Sequence, residues 1–314
     1  MNILIHRALP ESVVQDFVSE FAHHIVEVLH PSETIDPHLP WAEAIVGNPS
    51  PRGILDHADK LQWLQLLSSG FDGYEAFADA AFQVTTSHGI HAPVIAEQCL
   101  TSMLMLERRM PLFSQSQSER SWDRQARIQG SLRGKTLGIL GYGSIAQALS
   151  ELVQAFGMKV IAMTKNPANK APSGTTKIVG TDYLDTLLQA AEHLILTLPL
   201  TKETQNILSA EKIALLKEDC FVHNVGRGGL LDQAALESRL AEGSIGGAAL
   251  DVFAVEPLPK DSALWKLPNC IVTPHIAGHY QDLDIDLLHL FAENLRRLDN
   301  GQTLKNLANF QRGY

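Results

Sequence analysis

Cysteine is scarce: Cys99, Cys220 and Cys270 are the only three in 314 residues, far apart and never in a CxxC spacing. That excludes a disulfide framework and a cysteine-rich metal centre, so the thiols are expected buried and reduced and no metal is expected. Long apolar runs are also missing. Nothing approaches the roughly 18 residues a membrane helix needs, and the opening MNILIHRALP lacks the charged, apolar and cleavable regions of a secretory leader, so a cytoplasmic protein without a membrane partner is expected. Positive charge is in deficit, with 25 Lys and Arg against 35 Asp and Glu and a formal charge of −10. A nucleic-acid surface needs clustered cations and is excluded as a partner. Acidity does not exclude a small anionic ligand, because a local cationic site captures one whatever the net charge. Disorder-prone composition is absent too: 45% of residues are hydrophobic and 19% charged, a globular balance.

What is present is an alternation. Short apolar runs at Asn2–Ile5, Ile25–Leu29, Ala44–Val46, Gln62–Leu67, Thr136–Leu140, Lys159–Met163, His193–Thr197, Cys220–Asn224, Gly247–Val252 and Cys270–Thr273 are separated by helical stretches. The pattern predicts a doubly wound α/β fold with parallel sheets, and the length suits two domains. A helix from Pro93 to about Arg109 is followed by the polar segment SQSQSERSWDRQ, read as a surface connection, with a boundary near residue 98. A last helix, about Asp282 to Leu298, follows the second set of strands and can return to pack on the first domain.

The segment GKTLGILGYGSIAQALSELVQAFGMKVIAM sets Gly141-Tyr142-Gly143-Ser144-Ile145-Ala146 between an apolar strand and an amphipathic helix. Gly141 allows the tight turn, Gly143 lets the backbone approach a pyrophosphate, and the small Ala146 lets helix and strand pack closely. The helix start offers free N–H groups and positive potential to the phosphates. A glycine turn of purely structural use is the plainer alternative. About 20 residues on, where an acid would accept hydrogen bonds from a ribose 2′-hydroxyl, the strand ends Met163-Thr164-Lys165-Asn166. Thr164 and Lys165 suit a 2′-phosphate, which favours NADP over NAD as cofactor, although a lysine pointing into solvent fits as well.

Reducing a carbonyl by hydride needs a cation on the oxygen and an acid to deliver a proton. HNVGRGGLLD offers Arg227, ALDVFAVEPLP offers Asp251 and Glu256, and NCIVTPHIAGH offers His275, each just after a strand. Carboxyl ends of strands line the ligand crevice of an open α/β sheet, so these distant residues can converge. Glu256 can accept from His275 and fix its tautomer. Singly, each has a plainer reading: an ion pair for Arg227, a turn cap for Glu256, a core hydrogen bond for His275. Their placement after three strands of one nucleotide-binding unit favours the site. The other histidines are weaker candidates: His23 and His24 read as part of a surface helix, His88 and His91 lack an acidic partner, and only His279 lies close enough in sequence to reach the substrate.

The motifs LQWLQLLSSGFDGYE, GIHAPVIAE, LRGKTLGILGYGSIA, LTLPLTKETQNIL, HNVGRGGLLDQAAL, GGAALDVFAVEPLP and NCIVTPHIAGH resemble, in order and over nearly the whole chain, the D-isomer-specific 2-hydroxyacid dehydrogenases. The resemblance implies a Rossmann dinucleotide-binding domain, residues 99–281, inserted into a flavodoxin-like substrate-binding domain, residues 1–98 and 282–314. It implies that Arg227 binds and polarises a small 2-keto acid, that His275 donates the proton and that Glu256 orients His275. It places Asp251 near the nicotinamide, the Ser69-Gly70 backbone at the substrate carboxylate, and Leu198-Pro199 and Val225-Gly226 along the cofactor. It also implies a homodimer. The lysine at 165 resembles NADPH-dependent glyoxylate/hydroxypyruvate reductases. A dinucleotide-sensing protein like the corepressors that keep this fold is the alternative, against which stands the lack of long disordered tails.

Overall fold

The computed structural model describes residues 1–122, 129–174 and 176–311. It forms two compact units, Met1–His91 with His279–Tyr314, and Ala92–Gly278. The divisions fall at 91/92 and 278/279 instead of 98/99 and 281/282, because residue 98 sits within one continuous helix, Ala92–Glu107.

The first unit begins β1 (Asn2–His6), α1 (Glu11–Glu20), β2 (Ile25–Leu29), β3 (Ala44–Val46), α2 (Pro51–His57), β4 (Trp63–Gln65) and β5 (Gln83–Thr85). All five strands run parallel in the order β2-β1-β3-β4-β5, a flavodoxin-like sheet. Alternation along β1 sorts its side chains: Ile3 and Ile5 face Phe17, Phe21 and Trp63, whereas Leu4 faces Leu39, Ile54 and Leu64. A sheet covered on both sides explains why these strands read as apolar runs.

The second unit runs α3 (Ala92–Glu107), α4 (Met110–Ser118), β6 (Thr136–Leu140), α5 (Ser144–Gln154), β7 (Lys159–Met163), β8 (Lys177–Val179), α6 (Leu184–Ala190), β9 (His193–Leu196), α7 (Ala210–Ile213), β10 (Phe221–Asn224), α8 (Gln233–Glu242), β11 (Gly247–Leu250) and β12 (Cys270–Val272). Its seven parallel strands are ordered β12-β11-β10-β9-β6-β7-β8. Taken from β6, this is the Rossmann order with a seventh strand, and the order reverses between β6 and β9. The connection expected at 114–125 begins as helix, since α4 extends to Ser118 with Ser118 Oγ bonded to the Ser114 carbonyl at 3.1 Å. Residues 123–125 of that segment lie outside the described residues.

A buried polar chain fastens α3 to this sheet. Glu107 meets His193 Nε2 at 3.0 Å and also pairs with Lys135, His193 Nδ1 lies 3.1 Å from His223 Nε2, and His223 Nδ1 lies 2.9 Å from Ser102 Oγ. Glu107, His193 and His223 are all buried. With Glu107 ionised and both rings neutral, His193 donates to Glu107 and His223 to His193, which leaves His223 Nδ1 an acceptor facing the Ser102 hydroxyl, whose proton the Cys99 carbonyl at 2.8 Å also draws.

The chain returns to the first unit as α9 (Leu283–Asp299). Phe291 stacks on Trp63 with centroids 4.4 Å and planes 16° apart, and Trp63 Nε1 donates to Thr85 Oγ1 at 2.8 Å. Among the described residues no helix is long and apolar enough to cross a membrane.

Candidate active site

The glycine loop lies at the reversal point, between the end of β6 and the start of α5. Gly141 has φ +102°, and a Cβ there would sit 3.2 Å from the Leu198 backbone, so the β6 turn and the segment after β9 come together only because the side chain is missing. Gly143 is the N-cap of α5, no side chain caps that helix, and a Cβ added at Gly143 would enter open space. An uncapped helix start under an open glycine face fits a dinucleotide pyrophosphate. Ser144 and Ile145 open the helix, whereas the Tyr142 side chain turns into the core and its hydroxyl accepts from Ser173 N at 2.7 Å. Tyr142 therefore offers a cofactor its backbone alone.

Thr164 follows β7 and is half-buried; Lys165 is exposed. Lys165 lies near enough to Glu203 to lower the pKa of that carboxyl, after the larger effect of a hydrogen bond from Thr201. Sequence reasoning missed Glu203, which no spacing rule connects to residue 165.

Three further strands end in the residues picked out for acid–base chemistry. After β10, buried Asn224 organises the turn: its Oδ1 accepts from Gly226 N at 3.1 Å and its Nδ2 donates to the Arg227 carbonyl at 2.9 Å. Arg227 Nη1 donates to the Gly226 carbonyl at 2.8 Å. At Gly228 a Cβ would fall 1.9 Å from the Phe253 carbonyl, so the Arg227 loop presses backbone to backbone on the loop that carries Glu256. There, Glu256 Oε1 accepts from Phe253 N at 2.9 Å and Oε2 faces His275 Nδ1 at 2.7 Å. With Nδ1 committed to a carboxylate, Nε2 is the nitrogen of His275 that can exchange a proton with a ligand.

Asp251 does something the sequence did not suggest. Its buried carboxylate accepts from Thr273 Oγ1 at 2.6 Å and from the N–H groups of Ile276 and Ala277, each at 3.0 Å. Its carbonyl takes His275 N at 2.8 Å. These bonds hold His275 in the left-handed region, φ +52°, which is uncommon for a residue other than glycine. Asp251 thus clamps the loop that presents His275.

Leu198, Pro199 and Val225 are half-buried and Gly226 is buried, next to the ends of β9 and β10. Ser69 and Gly70 lie in the first unit beyond β4, with Ser69 exposed and the Gly70 carbonyl held by Ser68 Oγ at 2.6 Å. Arg227, Asp251, Glu256 and His275 thus share one unit, and Ser69, Gly70 and His279 belong to the other. Burial pushes the thiols of Cys99, Cys220 and Cys270 up to about 12, which leaves them unreactive at neutral pH.

Residues 100–277 match the family profile described as D-isomer specific 2-hydroxyacid dehydrogenase, NAD binding domain. The chain is 34% identical to the D-3-phosphoglycerate dehydrogenase of Methanocaldococcus jannaschii over 262 residues, covering 82% of this chain but only 49% of that protein. It is 29% identical to glyoxylate/hydroxypyruvate reductase B of Klebsiella pneumoniae over 99% of this chain and 98% of the other. A D-isomer specific 2-hydroxyacid dehydrogenase from Xanthobacter autotrophicus, solved in complex with NADPH and MES, superposes with a TM-score of 0.84 at 26% identity over 100% and 99% of the two chains.

Proposed function

Because this chain belongs to the D-isomer specific 2-hydroxyacid dehydrogenase family, we propose that it reduces a small 2-keto acid of the glyoxylate or hydroxypyruvate class to the D-2-hydroxy acid, preferring NADPH. The reading rests on one observation above others, the His275–Glu256 pair at 2.7 Å at the carboxyl edge of a Rossmann sheet.

Bound reduced nicotinamide would supply the hydride. His275 gives its Nε2 proton to the oxygen as negative charge develops there, and takes it back in the oxidative direction. Glu256 fixes the tautomer and the orientation of the ring. Arg227 matches a carboxylate with its planar fork and polarises the neighbouring carbonyl. The Ser69 and Gly70 backbone binds the substrate carboxylate in a substrate domain, Gly141 to Ile145 hold the pyrophosphate, and Leu198, Pro199, Val225 and Gly226 border the cofactor.

NADPH preference follows from Thr164 and Lys165 standing where an acid would repel a 2′-phosphate. The Xanthobacter relative with bound NADPH supports the same choice. Glu203 partly offsets the charge of Lys165. The corepressor-like alternative draws no support from the relatives found. A cytoplasmic homodimer without nucleic-acid partners completes the reading.

The test is turnover on a panel of 2-keto acids with either cofactor. NADPH oxidation with glyoxylate or hydroxypyruvate is expected, with kcat/KM about tenfold to hundredfold above that for NADH if the phosphate contact is worth about 1.5–3 kcal/mol. His275→Ala should lower kcat by about 100-fold to 10,000-fold while cofactor affinity is kept. Tight cofactor binding without turnover on any keto acid would overturn the enzyme reading, and equal use of both cofactors would overturn the NADPH preference.

A further inference from the structure

We propose that His23, His24 and Asp299 form a binding site for one divalent transition ion of the zinc class, which clips the end of α1 to the end of α9. The proposal concerns the first unit alone and does not depend on the reaction assigned to the second.

Three ligand atoms converge there from opposite ends of the sequence. His23 Nε2 lies 3.0 Å from Asp299 Oδ2, and His24 Nε2 lies 3.1 Å from Oδ1, with one donor atom of each residue within 4.8 Å of the other two. Zinc bonds to nitrogen and oxygen at about 2.0–2.1 Å, which sets tetrahedral ligand atoms about 3.3 Å apart; the two nitrogens stand 3.0 and 3.2 Å from Asp299 Oδ2, close to that spacing. Two imidazoles and a carboxylate are a donor set that zinc accepts and that the harder magnesium and calcium ions do not favour.

The surroundings carry charge of both signs, with Arg296 and Arg297 in the last turn of α9 beside Asp299. Asp299 is the last residue of α9, where exposed carbonyl oxygens already carry partial negative charge and a carboxylate is unfavourable unless something positive faces it. Residues 23 and 24 follow the end of α1 in a turn closed by the His24 N–H on the Phe21 carbonyl at 2.8 Å. The His24 side chain is only 5% exposed, so its ring is held in place, whereas His23 at 62% leaves the fourth position open to water. His24 Nδ1 stands 2.9 Å from the Met1 ammonium; an ion on Nε2 puts the ring proton on Nδ1, so loading the site releases a proton from that ammonium. Without an ion, both rings share the one carboxylate. Among the described residues no other group of three such side chains converges in this way.

Chelator-treated full-length protein, titrated with Zn²⁺ in a calorimeter and with Co²⁺ as a coloured substitute, should bind one ion tightly and unfold at a higher temperature when loaded. Removing one of three ligands should weaken this by at least about tenfold, as even partners behind a ligand contribute about 10- to 100-fold. His23→Ala and Asp299→Asn are the variants. His23 is exposed enough that its loss leaves the fold intact, which circular dichroism checks. No stoichiometric binding in the wild type, or binding of equal strength in both variants, would overturn the proposal.

Discussion

At the scale of single residues, the positions of the candidate site residues were legible because each follows an apolar run that had to be a strand. Arg227, Glu256 and His275 stand where the sequence analysis put them relative to β10, β11 and β12. The part played by Asp251 was not legible, because a carboxylate that binds backbone N–H groups leaves no periodic mark. Its three acceptor bonds, to Thr273, Ile276 and Ala277, yield a prediction. Asp251→Asn has one acceptor oxygen fewer and turns an N–H toward a donor, losing charge-assisted bonds worth about 1.5–3 kcal/mol each. With His275 no longer held at φ +52°, kcat should fall about tenfold or more while affinity for the nicotinamide cofactor changes little. Loss of cofactor affinity at unchanged kcat would return Asp251 to the role of a cofactor contact.

At the scale of elements, the long apolar strands and both long helices were read from pattern, α3 and α9 to within a residue or two. β5 and β8 went unread because QVT and KIV, at sheet edges, hold one and two apolar residues, whereas β3, just as short, is apolar throughout. The polar chain under α3 was equally silent, for Glu107, His193 and His223 meet only after strands and helix have packed. It has a measurable signature. Burial holds the His223 pKa well below that of a free imidazole, with the nearby His193 acting in the same direction. Below about pH 6.5 the unfolded chain takes up a proton that the folded state refuses, so stability falls with pH, by up to about 1.4 kcal/mol per unit for one histidine. Above that range this contribution is fully present. Urea midpoints between pH 5 and pH 8 should show the slope, and ring NMR signals of His223 should not titrate there. A flat stability profile, or a ring that titrates normally, would refute it.

At the scale of the molecule, two α/β units were foreseeable from length and from two series of strands, but the exact seams were not, because helix α3 hides one of them. The return of α9 has its own energetics. Phe291 covers Trp63 from beyond the inserted unit, and Phe291→Ala should destabilise the first unit by about 3–5 kcal/mol, as large aromatic truncations in cores do. Denaturant unfolding followed separately by tryptophan fluorescence and by binding of the nicotinamide cofactor should then split into two transitions, the first unit melting earlier. Coincident transitions at the original midpoint would show that the stacked pair carries little weight.

That same stacking sets a schedule for biosynthesis. Ala92–Gly278 leaves the ribosome as one contiguous stretch and has everything it needs to close its own core. The opening strands emerge earlier with α1 over part of their sheet, yet Trp63 lacks its Phe291 neighbour until α9 has been translated, many seconds later at about 5–20 residues per second. In the nascent chain the half made first is completed last, and in that interval the part of its sheet awaiting α9 is the surface a chaperone would find.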